Sequence, residues 1–155
     1  RSSYYLATVL SIYRKIIDNC YKNIENEYNI EDKKVLDNCA NRDSICQFYN
    51  GVYDQSCSYY NGRIEISNQD FLGIVLDYDI NNHFAILEQR NYFKKGDTVE
   101  IFSPKGDIIT LKIDEIYDDN GNLIDVVRHP KQIVRIRTKE ILKKDYMMRK
   151  KRIDK

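Results

Sequence analysis

The sequence predicts a mainly β fold, a small antiparallel β-barrel preceded by an apolar N-terminal helix. Apolar residues recur at helical spacing near the N-terminus, and from Phe71 onward short β-branched and aromatic runs alternate with turn residues at intervals of about 8 to 12 residues. The links between these runs are too short for the crossovers that parallel strands need. With 155 residues, the chain is long enough for one domain with a buried core.

The N-terminal helix is predicted over residues 1–18 and is apolar around most of its circumference. Ser2 and Ser3 can cap its start, and apolar side chains follow at spacings of four, three and four residues, at Tyr5, Val9, Ile12 and Ile16. The polar side chains form a narrow stripe of Thr8, Ser11, Lys15 and Asp18. We therefore expect the outer face of the helix to pack on a second copy of the chain or to remain exposed. Because the chain opens at Arg1 directly into this helix, we also expect a fragment of a longer polypeptide.

The remaining chain divides into a connector, a barrel and a tail. Residues 19–62 are predicted to be a connector with a short helix or an irregular path, because their pattern has no clear period. The barrel is predicted over residues 63–148, with six or seven strands, and residues 149–155 are predicted to be a frayed basic tail. Six strands follow from the pattern: Phe71 to Tyr78, Phe84 to Gln89, Val99 to Phe102, Ile108 to Tyr117, Leu123 to Val127 and Ile133 to Arg137.

Turn residues separate the predicted strands. Gly96 lies between Lys95 and Asp97, where it can supply the backbone conformation of a turn. Asn120 and Gly121 favour a tight hairpin, because both tolerate positive φ. A closed barrel would leave no exposed sheet edge.

Charge is divided unevenly along a chain that is almost neutral as a whole. The 25 Lys and Arg residues balance 24 Asp and Glu residues, so no overall charge attracts the chain to nucleic acid or to an anionic membrane. Residues 128–155, called the basic strip below, hold 12 basic and 3 acidic side chains, a net charge of +9, and residues 1–127 carry −8. Since no apolar run is long enough to span a membrane and no signal peptide is present at the N-terminus, we expect a soluble, cytoplasmic protein with no membrane partner.

The cysteines and histidines do not form a pattern that indicates chemistry. Cys20, Cys39, Cys46 and Cys57 have no CxxC spacing, which favours free thiols over a zinc site or a disulfide framework. His83 and His129 have no second ligand at metal-binding spacing, and no residue beside the cysteines indicates an activated thiolate. The sequence therefore predicts no catalytic residue, no metal site and no cofactor in this chain.

One candidate binding site is the polar run Gln89, Arg90 and Asn91. An amide, a guanidinium and a second amide at the end of a strand can contact phosphate or peptide carbonyl groups together. The alternative is structural: Arg90 pairs with Glu88 or Glu100, and Asn91 shapes the following turn.

The second candidate binding site lies in the basic strip. Arg135 and Arg137 alternate with apolar residues, so both guanidinium groups are expected on the outer face of one strand. With Arg128 and Lys131 they can form a surface that binds RNA phosphates, with Tyr146 or another aromatic side chain available to stack a base. The alternative is a solvated outer face without a ligand.

Four stretches of the chain resemble motifs of one known family, in the same order. Residues 88–101, EQRNYFKKGDTVEI, resemble a signature in the C-terminal region of the collagenase-like peptidase family U32. Residues 3–14 resemble the helix that closes the catalytic barrel of this family. Residues 125–132 resemble its late HP-containing segment, and residues 145–149 resemble its closing motif.

The resemblance implies a domain organisation and two alternative functions. Residues 1–18 would be the final helix of a missing catalytic barrel, and residues 63–148 a C-terminal β-barrel similar to the second domain of translation factors. The chain would then be an accessory, substrate-positioning domain of a peptidase, a hydrolase whose catalytic part lies outside it. Because some relatives are implicated in hydroxylating tRNA or rRNA with an iron–sulfur cluster, the alternative is an accessory domain that binds RNA through the basic strip.

A third possibility is a purely structural barrel. The expected partners are the missing catalytic domain, a protein substrate or RNA, and a second copy of the chain through the N-terminal helix.

Overall fold

Two helices precede ten strands in the computed structural model, which describes residues 2–22, 24, 29–39, 49, 51, 71–103 and 105–150. Helix α1 spans Ser3–Tyr21, and the side-chain oxygen of Ser2 caps it by accepting a hydrogen bond from the backbone N–H of Tyr5 at 3.2 Å. Helix α2 spans Ile30–Cys39 inside the predicted connector. The predicted helix is therefore confirmed, with an end that lies beyond residue 18, and most of the connector is outside the described residues.

The strands begin at Phe71, and four of them match predicted strands to within one residue at each end. In chain order the strands are β1 (Phe71–Asp79), β2 (Phe84–Gln89), β3 (Phe93–Lys94), β4 (Thr98–Phe102), β5 (Ile108–Lys112), β6 (Ile116–Tyr117), β7 (Leu123–Ile124), β8 (Val126–Val127), β9 (Ile133–Arg137) and β10 (Met147–Lys150). The matching strands are β1, β2, β4 and β9. The predicted strand at 108–117 is divided into β5 and β6, the one at 123–127 into β7 and β8, and β3 and β10 were not predicted.

Eight strands form one antiparallel sheet in the order β5-β4-β10-β1-β2-β9-β6-β7, and β3 pairs separately with β8. The prediction of a mainly antiparallel β domain is therefore confirmed. The predicted closed barrel is not found, because within the described residues β5 and β7 are the two ends of the sheet and do not pair with each other. Among the described strands, β5 pairs on one side only, with β4, and β7 on one side only, with β6, so the sheet keeps two edges.

The large sheet and the small ladder share one apolar core. Phe93 of β3 and Val127 of β8 are fully buried together with Leu87, Ile101 and Ile136 of the large sheet. Because side chains alternate along a strand, burying these residues turns their neighbours on β2, β4 and β9 outward.

Helix α1 covers the outer side of one half of the sheet. The ring of Tyr4 stacks on Phe71 of β1 with 4.6 Å between ring centroids and contacts the edge of Phe102 of β4. Tyr4, Phe102 and Cys39 of α2 form a second, smaller buried cluster, against which Met147 of β10 packs. The helices therefore cover β1, β4 and β10.

The opposite face of α1 is apolar and exposed. The helix buries Thr8 and Ser11 from its polar stripe, and it exposes a row of apolar side chains, Leu6, Leu10, Tyr13 and Ile17. These four residues are called the α1 seam below. The single chain therefore leaves an apolar face of this helix uncovered, and packing of this face on a second copy stays a prediction.

The predicted basic tail, residues 149–155, begins two residues too early. Arg149 and Lys150 are the last residues of β10, and Arg149 is only 7% exposed. Arg149 is buried because it lies opposite Glu100 in the β10–β4 ladder and forms an ion pair with it. Residues 151–155 lie outside the described residues.

Two turn predictions have different outcomes. Gly96 has φ of 87°, and Asp97 accepts a hydrogen bond from the backbone N–H of Lys94, as expected for a structural turn. The β6–β7 hairpin is longer than the predicted tight turn, because the carboxylate of Asp118 accepts hydrogen bonds from the backbone of Asn120 and Asn122. Among the residues between Asp118 and Asn122, Gly121 has a positive φ of 83°.

The described cysteines and helices permit two further statements. Cys20 and Cys39 are not joined in a disulfide, whereas Cys46 and Cys57 lie outside the described residues. Neither α1 nor α2 is both long and apolar enough to cross a membrane.

Candidate nucleic-acid interface

The outer side of β9 presents two arginines on the half of the sheet that α1 does not cover. Val134 and Ile136 are fully buried in the core, and Arg135 and Arg137 between and after them are exposed. This alternation is the one that the sequence predicts. Both guanidinium groups can therefore meet a ligand from solvent.

Arg137 is held in place by an aromatic ring and a carboxylate. It lies opposite Phe84 in the β2–β9 ladder, and its guanidinium carbon is 5.5 Å from the centroid of the Phe84 ring. Its Nη1 atom also donates a hydrogen bond to Oε2 of Glu115 at 3.5 Å. The arginine side chain remains 58% exposed, so these contacts orient it without burying it.

Tyr117 lies next to this arginine and shares both of its partners. The rings of Tyr117 and Phe84 meet edge to face, with 5.4 Å between centroids and an interplanar angle of 80°. The Tyr117 hydroxyl donates a hydrogen bond to Oε2 of Glu115 at 3.0 Å, and this bond raises the pKa of Tyr117. Phe84, Glu115, Tyr117 and Arg137 therefore form one connected cluster, called the outer cluster below.

Arg135 borders the outer cluster but has greater freedom. It lies opposite Tyr117 in the β6–β9 ladder and opposite Ile86 in the β2–β9 ladder, so the three side chains share one face. Within the described chain Arg135 makes no ion pair. Hydrogen bonds from Asn82 are the main reason that the pKa of Asp79 is lowered, and the charge of Arg135 adds to this effect.

The other two basic candidates lie beyond the opposite end of the same strand. Arg128 and Lys131 are exposed in the segment that leads into β9, and the backbone N–H of Lys131 donates to the carbonyl oxygen of Gln89. Arg137 is six residues after Lys131, and an extended strand rises about 3.3 Å per residue. In chain order the four basic side chains therefore run from the segment before β9 to its last residue, as a basic line rather than one compact patch.

The structure places Gln89, Arg90 and Asn91 in mainly structural roles. Gln89 is 3% exposed, and its Oε1 atom has no hydrogen-bond partner among the described residues. Arg90 pairs with Oε1 of Glu88 at 2.6 Å, which is the structural alternative considered for it. The side-chain amide of Asn91 donates to the carbonyl oxygen of Phe71 at 3.1 Å, so it links the turn to β1. Only Arg90 of the three is directed to solvent.

The sequence prediction omitted three members of the outer cluster, Phe84, Glu115 and Tyr117. All three were assigned to predicted strands but not to a site. The available signal was period-2 alternation, since Phe84 precedes the buried Ala85 and so faces outward. The register that brings Phe84 opposite Arg137 joins residues 53 positions apart, and a single sequence does not give it.

The described residues do not fit a metal or iron–sulfur site. They include no group of three or more His, Cys, Asp and Glu side chains that could hold a metal ion. Cys39 is 1% exposed on α2, and burial is the main cause that raises the pKa of its thiol. A buried thiol of raised pKa is a poor metal ligand and a poor nucleophile.

These elements define an antiparallel β domain. Helices cover one half of its sheet, and the other half presents an open aromatic and basic face. Residues 67–149, just over half of the chain, match the family model of the peptidase family U32 C-terminal domain. The chain therefore belongs to the peptidase family U32, as the motifs in its sequence suggested.

One curated relative matches nearly the whole chain. The chain is similar to the tRNA hydroxylation protein P1 of Bacillus subtilis (strain 168), with 40% identity over 152 residues. The match covers 97% of this chain and 36% of that protein, so the chain spans just over a third of the length of this curated relative.

Two crystal structures show the same fold. Both are of the C-terminal domain of a Geobacillus thermoleovorans protein assigned to the U32 peptidases. One has 42% identity and a TM-score of 0.52, and covers 56% of this chain and 97% of that chain. The other, a selenomethionine variant, has 44% identity and a TM-score of 0.50, and covers 52% of this chain and 99% of that chain.

Proposed function

We propose that this chain is the C-terminal accessory region of a U32 protein that takes part in tRNA hydroxylation, and that it binds RNA beside a catalytic part of the polypeptide. The observation that carries the proposal is the 40% identity to a tRNA hydroxylation protein across 97% of the chain. The expectation of a cytoplasmic protein belongs to the same proposal, because tRNA is found in that compartment.

The exposed arginines of β9 support the RNA role. Arg135 makes no ion pair with any described residue, and the guanidinium of Arg137 is held at the surface with its side chain 58% exposed. Guanidinium groups form bidentate hydrogen bonds with phosphate and also stack on bases. Arg128 and Lys131 extend the basic line toward the other end of the strand.

The accessory role in a peptidase, which the sequence favoured first, has less support. The family and the two solved relatives carry the peptidase description, but the relative that matches nearly the whole chain is described by tRNA hydroxylation. The exposed face of β9 is also charged, whereas the pockets that hold peptide side chains are mainly apolar.

The α1 seam supports a proposal about partners. Leu10 and Tyr13 are 63% and 58% exposed, and such large apolar residues in a row mark a protein contact. We propose that the catalytic domain of the longer polypeptide covers this row, and that in the isolated chain a second copy covers it instead.

The experiment that tests the RNA role measures binding of a labelled tRNA anticodon stem-loop and of a casein-derived peptide to the 155-residue chain, at about 50 and 200 mM salt. We expect RNA to bind more tightly at low salt, since each neutralised phosphate releases counterions. The double variant Arg135→Gln/Arg137→Gln should bind RNA more weakly and lower the salt slope by about 0.7 for each lost contact to a single-stranded phosphate.

The matched control is Arg14→Gln/Lys33→Gln, which removes the same charge from exposed positions of α1 and α2. Its RNA affinity should stay near that of the wild type. Absence of RNA binding at low salt, or equal losses for the two double variants, would contradict the proposed RNA contact. If the wild-type chain binds the peptide but no RNA, the result would favour the peptidase role.

A further inference from the structure

Resting on the proposed function, we propose that Tyr117 and Arg137 form a stacking platform for an unpaired RNA base, with Arg135 placed to bind an adjacent phosphate. The platform is on the outer face of β6 and β9. Phe84 and Glu115 support it from beneath and from the side, and they are not expected to contact the RNA directly.

The first argument is that the platform is fixed before any ligand arrives. The Tyr117 ring is held by the edge-to-face contact with Phe84 at 5.4 Å and by its hydrogen bond to Glu115 at 3.0 Å. Exposed tyrosines are usually free to rotate, and ordering them on binding costs affinity. Two contacts on the half-buried Tyr117 ring already limit that rotation in the free protein.

The second argument is that Arg137 is anchored by the same two partners. Its guanidinium lies over the Phe84 ring and reaches the Glu115 carboxylate at 3.5 Å. Glu115 therefore orients an aromatic ring and a guanidinium side by side, which are the two planar groups on which proteins stack unpaired bases. An exposed ion pair alone would contribute little to stability, so this arrangement has no obvious structural purpose.

The third argument concerns which kind of nucleic acid fits. Arg135 is opposite Tyr117 in the ladder, so a phosphate that follows a stacked base lies within reach of its guanidinium. Asp77 and Asp79 lie on the same face of the neighbouring strand β1, opposite Ile86 and Phe84. These carboxylates repel a long row of phosphates, so the face suits one or two splayed nucleotides better than the backbone of a duplex.

The test uses the fact that the chain contains no Trp. Tyr117→Trp introduces a single Trp at the platform that can be excited selectively over the tyrosines, and stacking of a base on it should quench its emission. We expect quenching by hepta-adenosine RNA that persists at moderate salt, because stacking does not depend on counterion release, and much less quenching by a blunt RNA duplex.

Affinity measurements provide the second readout. Stacking on an aromatic side chain is worth about 5- to 150-fold in affinity per base, so Tyr117→Leu should weaken hepta-adenosine binding by that factor, while Tyr117→Phe should retain most of it. The matched control is Tyr21→Leu, at a tyrosine that is 84% exposed on α1, and it should bind as the wild type does. A circular dichroism melt checks that each variant is folded. If Tyr117→Leu does not fold, the quenching of Tyr117→Trp still tests the platform.

Three results would overturn the platform. The first is RNA binding by the wild type with an unchanged affinity for Tyr117→Leu, which removes the platform and leaves the proposed function standing. The second is RNA binding without quenching of the Trp variant. The third is equal quenching by a casein-derived peptide, which would assign the face to a protein ligand. Failure of the wild type to bind any RNA would instead reject the proposed function together with the platform.

Discussion

Arg149 donates a hydrogen bond from Nε to Oε2 of Glu100 at 2.9 Å, and its Nη2 atom forms an ion pair with the same oxygen at 2.8 Å. The two residues lie opposite each other on β10 and β4, beneath α1. The guanidinium also lies 5.0 Å from the centroid of the Phe102 ring. An ion pair with side chains 9% and 20% exposed is screened little by solvent, so it joins the C-terminal strand firmly to the sheet.

The first prediction is that Glu100→Gln lowers the free energy of unfolding by about 2 kcal/mol, because it leaves the largely buried Arg149 charge without its partner. Urea denaturation monitored by circular dichroism measures the change. Asp18→Asn, which breaks the exposed Arg14–Asp18 pair on α1, is the control and should cost less than about 0.5 kcal/mol. Equal effects of the two substitutions would show that burial does not strengthen the Glu100 pair.

The second prediction is that the isolated chain associates through the α1 seam. Full burial of a leucine side chain contributes about 1.5 to 3 kcal/mol, so pairing two seams removes an unfavourable exposed surface. Sedimentation velocity should show a dimer for the wild type and a monomer for Leu10→Lys. Leu123→Lys, at a leucine 57% exposed on β7, should remain dimeric. A wild type that is monomeric at high concentration would contradict this contact.

The third prediction is that Asp79, in the β1–β2 turn, makes the stability of the fold depend on pH in the acid range. The carboxylate of Asp79 accepts hydrogen bonds from the side chain of Asn82 at 2.8 Å and from the backbone of Asn81 and Asn82, and these bonds lower its pKa. A lowered pKa in the folded protein means that Asp79 contributes stability above its ordinary pKa of about 3.9 and loses it as the pH falls through the folded value.

An NMR titration of the Asp79 carboxyl carbon measures this shift directly. Asp79→Asn should flatten the pH dependence of stability in that acid range, and Asp119→Asn, at an exposed residue of the β6–β7 turn, serves as the control. A titration midpoint of Asp79 at the ordinary value would contradict the prediction.

The fourth prediction is that the chain alone does not hydrolyse protein. The Cys39 thiol donates a hydrogen bond to the Leu36 carbonyl oxygen, and burial raises its pKa, so it is not an activated nucleophile. Within the described chain, neither histidine is hydrogen-bonded to a cysteine. Incubation with gelatin or casein should yield no fragments. Cleavage that disappears on substitution of Cys57 or His129, and that survives further purification, would contradict this expectation.

Local patterns in the sequence account for much of the fold. Alternation along residues 133–137 predicts both the strand and the outward direction of Arg135 and Arg137, because a half-buried strand repeats every two residues. The six-residue strand at Phe84–Gln89 is predicted for the same reason. The two-residue strand β3 was missed, since so short a run does not establish a period.

The parts that were not predicted depend on contacts between distant residues. Arg149 is buried because it pairs with Glu100, 49 residues earlier, and Arg137 is supported by the ring of Phe84, 53 residues earlier. For α1, the sequence indicates a narrow polar stripe and a wide apolar surface, but not which side the domain covers. The helix places Thr8 and Ser11 against its own domain and leaves Leu10 outside.

The position of β10 determines when the sheet can assemble during protein synthesis. β10 is the last of the ten strands along the chain, yet it lies between β4 and β1 and pairs with both. Phe71 pairs with Arg149, 78 residues later, so at about 5 to 20 residues per second a ribosome needs roughly 4 to 16 s to supply the missing strand. During that interval the nascent β1 and β4 have unpaired edges, and the completed sheet is formed only after translation of this strand. A nascent chain that ends before β10 is therefore expected to expose these two strand edges to chaperones and to wrong pairing.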